Sequence, residues 1–204
     1  MNMNTLLTGT AKKSGLSLEG LQFPDCTLDP ASIRLLMISE VPPKNPEDWF
    51  YSVAPDPDYM KSTLGLFRQA GVEVGSMADI LNLGIYITTA VKIKKTGYFV
   101  DNDVLIGHLP LLEAEIDAFP NLKGIACMGD VAIKAVNKIA KARTRKNVIP
   151  SKPTGGIHMN EYFWGDLRVF PSYIITGKNL LIEKFKCDTI AEDIQRMMAY
   201  LQTK

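Results

Sequence analysis

Cysteine is scarce in this chain and histidine scarcer. The 204 residues hold three cysteines, Cys26, Cys127 and Cys187, and two histidines, His108 and His158. The cysteines are odd in number and far apart, and none forms a C-x-x-C pair, which argues against a disulfide framework and against a zinc site. No metal ion and no cofactor is expected. Cys127 falls in an apolar run and reads as an inert core thiol. Neither sign of charge is in excess: 23 Lys and Arg face 22 Asp and Glu, a net of +1. No global field therefore selects a nucleic acid or an anionic membrane, and any polyanion site has to come from a local patch. No apolar run reaches the roughly 18 residues of a membrane span. Residues 1–7 lack the basic start and apolar core of a secretory signal. The expectation is a cytoplasmic protein, monomeric and without membrane contact. Internal repeats and low-complexity segments are also missing.

The apolar content of 46% is ordinary for a globular protein, and the length suits one domain over residues 1–204. Residues 1–30 are loosely patterned, with a short helix expected between Leu16 and Leu21. The first clear element is the apolar run 33–38, which breaks into Ser39-Glu40-Val41-Pro42-Pro43. Such a run, ended by prolines, reads as a buried parallel strand. In open α/β sheets the ligand crevice lies outside the carboxyl ends of the strands, so Ser39 and Glu40 stand where chemistry is done. The competing reading of Glu40 is a solvated loop carboxylate. A polar loop follows and carries Trp49-Phe50-Tyr51, either a binding feature or a plug for the core.

Helical spacing covers 59–70, with Gly71 as its stop, and a short helix follows at 76–84. Residues 85–91 are β-branched and aromatic, a second strand, which runs into a basic turn, 92–98. A helix over 101–119 carries Pro110 and places His108 on the surface. The third strand, 123–128, passes through Gly129-Asp130 into a helix with Asp130 as expected N-cap, a geometry that favours anions. That helix turns basic, from Lys134 through Lys138, Lys141, Arg143, Arg145 and Lys146, and the simplest reading of that run is a solvated face. A turn between strands is expected at 162–167, a fourth strand at 167–171, a loop at 172–179 and a closing helix at 190–201. Alternating strands and helices of these lengths predict an α/β fold. A central four-stranded parallel sheet is covered on both faces, a three-layer α/β/α sandwich, with the strand-end loops converging on one rim.

Four segments, in this order, resemble the motifs of the uracil-DNA glycosylase superfamily, nearest its microbial single-domain branches. They are Ser39-Glu40-Val41-Pro42-Pro43, Tyr86-Ile87-Thr88-Thr89-Ala90-Val91-Lys92, Gly124 through Ala132, and Val169-Phe170-Pro171-Ser172-Tyr173. The resemblance implies hydrolysis of the N-glycosidic bond of a damaged base flipped out of DNA. It assigns Glu40 the catalytic carboxylate. Phe50, with Trp49 and Tyr51 beside it, would stack on the base, and Thr89 would read it. Ser39, Pro43, Lys92, Gly129, Ser172 and Lys178 would meet the DNA. The chain also departs from the pattern. Thr89 replaces the family's base-reading Asn, Ile174 its His and Ile175 the following Pro, while Ser39 and Pro43 replace glycines. Three cysteines at these spacings predict no iron–sulfur cluster. Thr89 lacks the donor–acceptor pair of an amide and Ile174 is no donor. A catalytically inactive nucleic-acid or nucleobase-binding protein on the same scaffold, gripping phosphates through Lys92, Lys94, Lys95 and Lys178, is therefore the alternative. A third reading pairs Glu40 with His158 in a small-molecule enzyme.

Overall fold

The structure, a computed structural model, describes residues 1–94, 97, 99–176 and 183–203. Among them are six α-helices and one five-stranded sheet. The strands are β1 (Leu35–Ser39), β2 (Ile85–Thr89), β3 (Gly124–Met128), β4 (Tyr162–Trp164) and β5 (Leu167–Ser172), and they lie in the order β2-β1-β3-β5-β4. The first three are buried at every position, as expected of parallel strands covered on both faces. Four strands run parallel. The expected count of four is corrected to five and the all-parallel sheet to a mixed one, because β4 pairs antiparallel with β5. Trp164 and Leu167 form the last register pair, joined by Gly165-Asp166 with Gly165 at φ +59°. A two-residue hairpin needs that positive φ, so glycine suits the position.

The helices are α1 (Met3–Lys13), α2 (Asp58–Gln69), α3 (Met77–Asn82), α4 (Asn102–Asp117), α5 (Asp130–Thr144) and α6 (Lys184–Gln202). One apolar layer joins Leu36, Ile38, Tyr86, Ile125 and Cys127 of the sheet to α4 and α5. The opposite layer joins Leu35, Met37, Ile85, Ile87 and Met128 to α2, α3 and α6. The period-two split of the strand residues between the layers is what makes three layers.

Two expectations for the helical layer change. The N-terminal segment is not loose: α1 is capped by Asn2, whose side chain accepts from the Thr5 N–H at 2.8 Å. Met3, Leu7 and Ala11, spaced i, i+4, i+8, are fully buried, and Leu7 and Ala11 meet Leu111 of α4. The helix expected at 16–21 is instead an irregular stretch with a turn at 19–20 and an isolated bridge from Leu21 to Ile93. His108 is not on the surface but 4% exposed inside α4, with its Nδ1–H donating to the Val104 carbonyl at 2.7 Å. Pro110 sits within α4 without ending it. Cys127 is buried and burial pushes its thiol up. Among the described residues no helix is long and apolar enough to cross a membrane.

Candidate functional site

The order β2-β1-β3 creates the site. The chain leaves β1 toward α2 on one face of the sheet and leaves β3 directly into α5 on the other. Two neighbouring strands whose exits diverge leave a crevice between their carboxyl ends. A cleft of about 500 Å³ opens there. Glu40 lines it from the end of β1, Gly129 and Asp130 from the β3–α5 turn, and Tyr173, Ile174 and Thr176 from the segment after β5. Thr154 and Gly155 close one side, and Glu183 and Lys186 stand at the start of α6.

Glu40 is half-buried and held by a hydrogen bond. Its Oε1 accepts from the Val131 N–H at 3.1 Å, in the first turn of α5. That turn has free N–H groups and the positive end of the helix dipole, so a carboxylate is a natural occupant. The N-cap is Gly129, at φ +107°, and not Asp130, which is the first helical residue. A Cβ on Gly129 would stand 2.7 Å from Glu40 Oε1 and 2.6 Å from Ile174 Cγ1. Glycine is required twice over, by the backbone angle and by the two side chains that close over it.

The structure distributes the remaining expected residues differently. Phe50 is fully buried and Trp49 6% exposed. Their rings lie 5.2 Å apart in the α2/α6 layer, so both serve the core here and neither lines the cleft. Tyr51 donates its hydroxyl to the Ile87 carbonyl at 2.7 Å, tying the loop to β2. The link between this aromatic group and the cleft is Tyr59, which helical spacing marks only as the start of a helix. Its ring is 5.3 Å from Phe50, and its hydroxyl shares a hydrogen bond with the cleft residue Thr176. Burial raises its pKa, the bond to Thr176 opposes that, and the charges of Asp48 and Glu40 add to it.

Thr89 and Ser39 are register partners at the strand ends. Both are buried, and neither hydroxyl has a hydrogen-bond partner among the described residues. Pro43 and Ser172 are buried as well. Ser172 donates to Asp193 Oδ2 at 2.5 Å, and its carbonyl accepts from the Gly129 N–H at 2.9 Å. Of the described residues expected to meet DNA, Gly129 alone lines the cleft. Lys178 and Lys95 lie outside the described residues.

Lys92 is a correction. The resemblance sets it against DNA, and it is instead wholly buried, its ammonium 2.6 Å from Glu115 Oε2 and donating to Thr88 Oγ1 and the Thr89 carbonyl. Tyr86 and Thr88 donate to the other oxygen of Glu115 at 2.8 and 2.7 Å. Desolvation lowers the Lys92 pKa while Glu115 opposes it. The basic turn gave no hint of this, because the partner carboxylate sits 23 residues away on α4.

His158 does not join Glu40. Its Nδ1 is 3.1 Å from Asp193 Oδ1, within a cluster in which Arg196 also pairs with Asp193 and donates to the His158 carbonyl. This cluster braces Ser172, and through it the Gly129 turn. Among the described residues no group of three or more His, Cys, Asp or Glu side chains is placed to hold a metal ion.

Compared with protein-family models and with curated proteins, the chain matches none.

Proposed function

We propose that the cleft accepts a base turned out of a DNA strand and that Glu40 promotes hydrolysis of its N-glycosidic bond. The observation that carries this reading is the Glu40 carboxylate, held at the α5 N-terminus inside a 500 Å³ concavity. In the reaction water adds to the sugar C1′, the C1′–N bond breaks, and its electron pair leaves with the base, which takes up a proton. Positive charge develops on the sugar, and a fixed carboxylate beside it lowers that barrier more than a mobile one. The described lining carries three carboxylates, Glu40, Asp130 and Glu183, against one ammonium, Lys186. That balance favours a cationic transition state over a phosphate. Tyr173, Thr154 and Thr176 line the same space, and their hydroxyls supply donors for the departing base.

A second reading, binding without hydrolysis, is favoured by Thr89 and Ile174. The Thr89 side chain is sealed in the core, and Ile174 lies against Gly129 with no proton to give a leaving group. Oligonucleotides carrying uracil, xanthine or hypoxanthine, treated with alkali after incubation, separate the two. Base release lost in Glu40→Gln supports hydrolysis. No strand scission with protein in excess, together with retained binding, supports the second reading.

A further inference from the structure

The basic run of α5 has an organisation that a solvated face does not require. Lys134, Lys138 and Lys141 are spaced four and three residues apart, which sets them along one side of the helix, and Arg145 follows four residues on as its left-handed C-cap. None of the four forms an ion pair with a described residue, whereas Arg143, off that line, is matched by Glu113 and Asp117. Cations near a helix C-terminus are favoured by its dipole, which accounts for Lys141 and Arg145. It does not account for Lys134 in the second turn or for Lys138.

A groove of about 370 Å³ runs beside the start of this stripe, with Lys134 on the helix wall and Lys152 on the returning loop. The loop is held against α5 by Asn137, which accepts from the N–H groups of Val148 and Ile149 at 2.9 Å and donates to the Ile149 carbonyl at 2.8 Å. The groove is therefore built before any ligand arrives. It shares Asp130 and Pro153 with the Glu40 cleft, so the two concavities adjoin.

We infer that this groove and stripe carry the sugar-phosphate backbone of a single strand away from the cleft. At about 1.5 Å rise per residue, the three helical lysines span roughly 10 Å, a distance that faces successive phosphates of one strand. The described lining of the cleft is mainly acidic and disfavours phosphate, so a strand with one base at Glu40 is better held by a cationic track beside it, and Lys134 and Lys152 begin one at the cleft's edge. A single row of cations opening from a concavity fits a strand better than a flat membrane surface. The inference rests on the proposed function in placing a base at Glu40, but its test does not need catalysis.

The test is binding of an undamaged, fluorescently labelled single-stranded oligonucleotide to the full chain across a salt series. Wild type is compared with K134E/K138E/K141E, with K152E and with the off-stripe control K123E. The stripe residues are exposed or half-exposed, so circular dichroism and melting should match wild type. The expected result is a triple variant with affinity at least tenfold weaker and a log–log salt slope shallower by about 2, given roughly 0.7 per lost phosphate contact. K152E should weaken binding several-fold and K123E should leave it unchanged. Equal affinity and slope for wild type and triple variant would overturn the inference, as would a loss seen equally with K123E or a stripe-dependent preference for anionic vesicles over the oligonucleotide. A shallower slope in the triple variant with no base release by wild type keeps the track and removes the glycosylase reading. Normal release and unchanged KM in the triple variant does the reverse.

Discussion

Glu40 and Gly129 come from adjacent strands and occupy the same space: the Glu40 Oε1 atom lies 2.7 Å from the point where a Cβ on Gly129 would stand. The carboxylate reaches the Val131 N–H over a residue that has no side chain to block it. The position of the acid is thus set by an absence on the neighbouring strand end.

Gly129→Ala is expected to move that carboxylate. The backbone there is at φ +107°, and the new methyl would meet Ile174 Cγ1 at 2.6 Å as well as Glu40. A non-glycine residue in such a conformation costs on the order of 1–3 kcal/mol. Denaturant midpoints should fall accordingly, and any base release should drop further than in a variant destabilised equally elsewhere. Ile174→Ala in the same background should recover part of the midpoint by relieving one of the two clashes.

The Lys92–Glu115 pair should behave as a unit. Both side chains are fully buried and 2.6 Å apart, so removing one partner leaves a charge without compensation in the core. Lys92→Met or Glu115→Leu alone should cost about 3–5 kcal/mol. The double variant should be markedly more stable than the sum of the two losses predicts. Chemical denaturation of the four proteins closes the cycle, and additive losses would show that the pair is not coupled.

His108 should give the fold a dependence on mild acid. Burial, the first cause, lowers its pKa below the ordinary 6.5, the bond to the Val104 carbonyl opposes this, and Lys92 adds to the lowering. Nε2 has no hydrogen-bond partner among the described residues, so a second proton there would have no acceptor. Between the lowered folded value and 6.5 the unfolded chain binds more protons than the folded one. Stability is therefore full above pH 6.5 and is lost as pH falls from there toward the folded value. His108→Gln should flatten that part of the stability–pH curve, measured by urea midpoints from pH 7.5 to 5.

Much of the scaffold was legible in the chain. Leu35 through Ile38, Ile85 through Ile87 and Ile125 through Met128 announce themselves because strands buried on both faces are apolar on both, and the glycine and proline residues that flank them are local chemistry. The same locality placed Glu40 and Gly129 at the carboxyl ends of two strands, and only the sheet order made those strands neighbours. The α1 helix escaped notice because its apolar stripe, Met3, Leu7 and Ala11, is narrow and gains its meaning only from contact with α4. Partnership at a distance was beyond reach. Lys92 reads as a DNA-facing cation until Glu115 is brought to it, and Phe50 reads equally as a stacking ring or a core plug until Trp49 and Tyr59 pack against it. Periodicity records which way a residue faces along its own element. Which charge or ring meets it there depends on how separate elements are laid side by side, and that is settled only when the chain has folded.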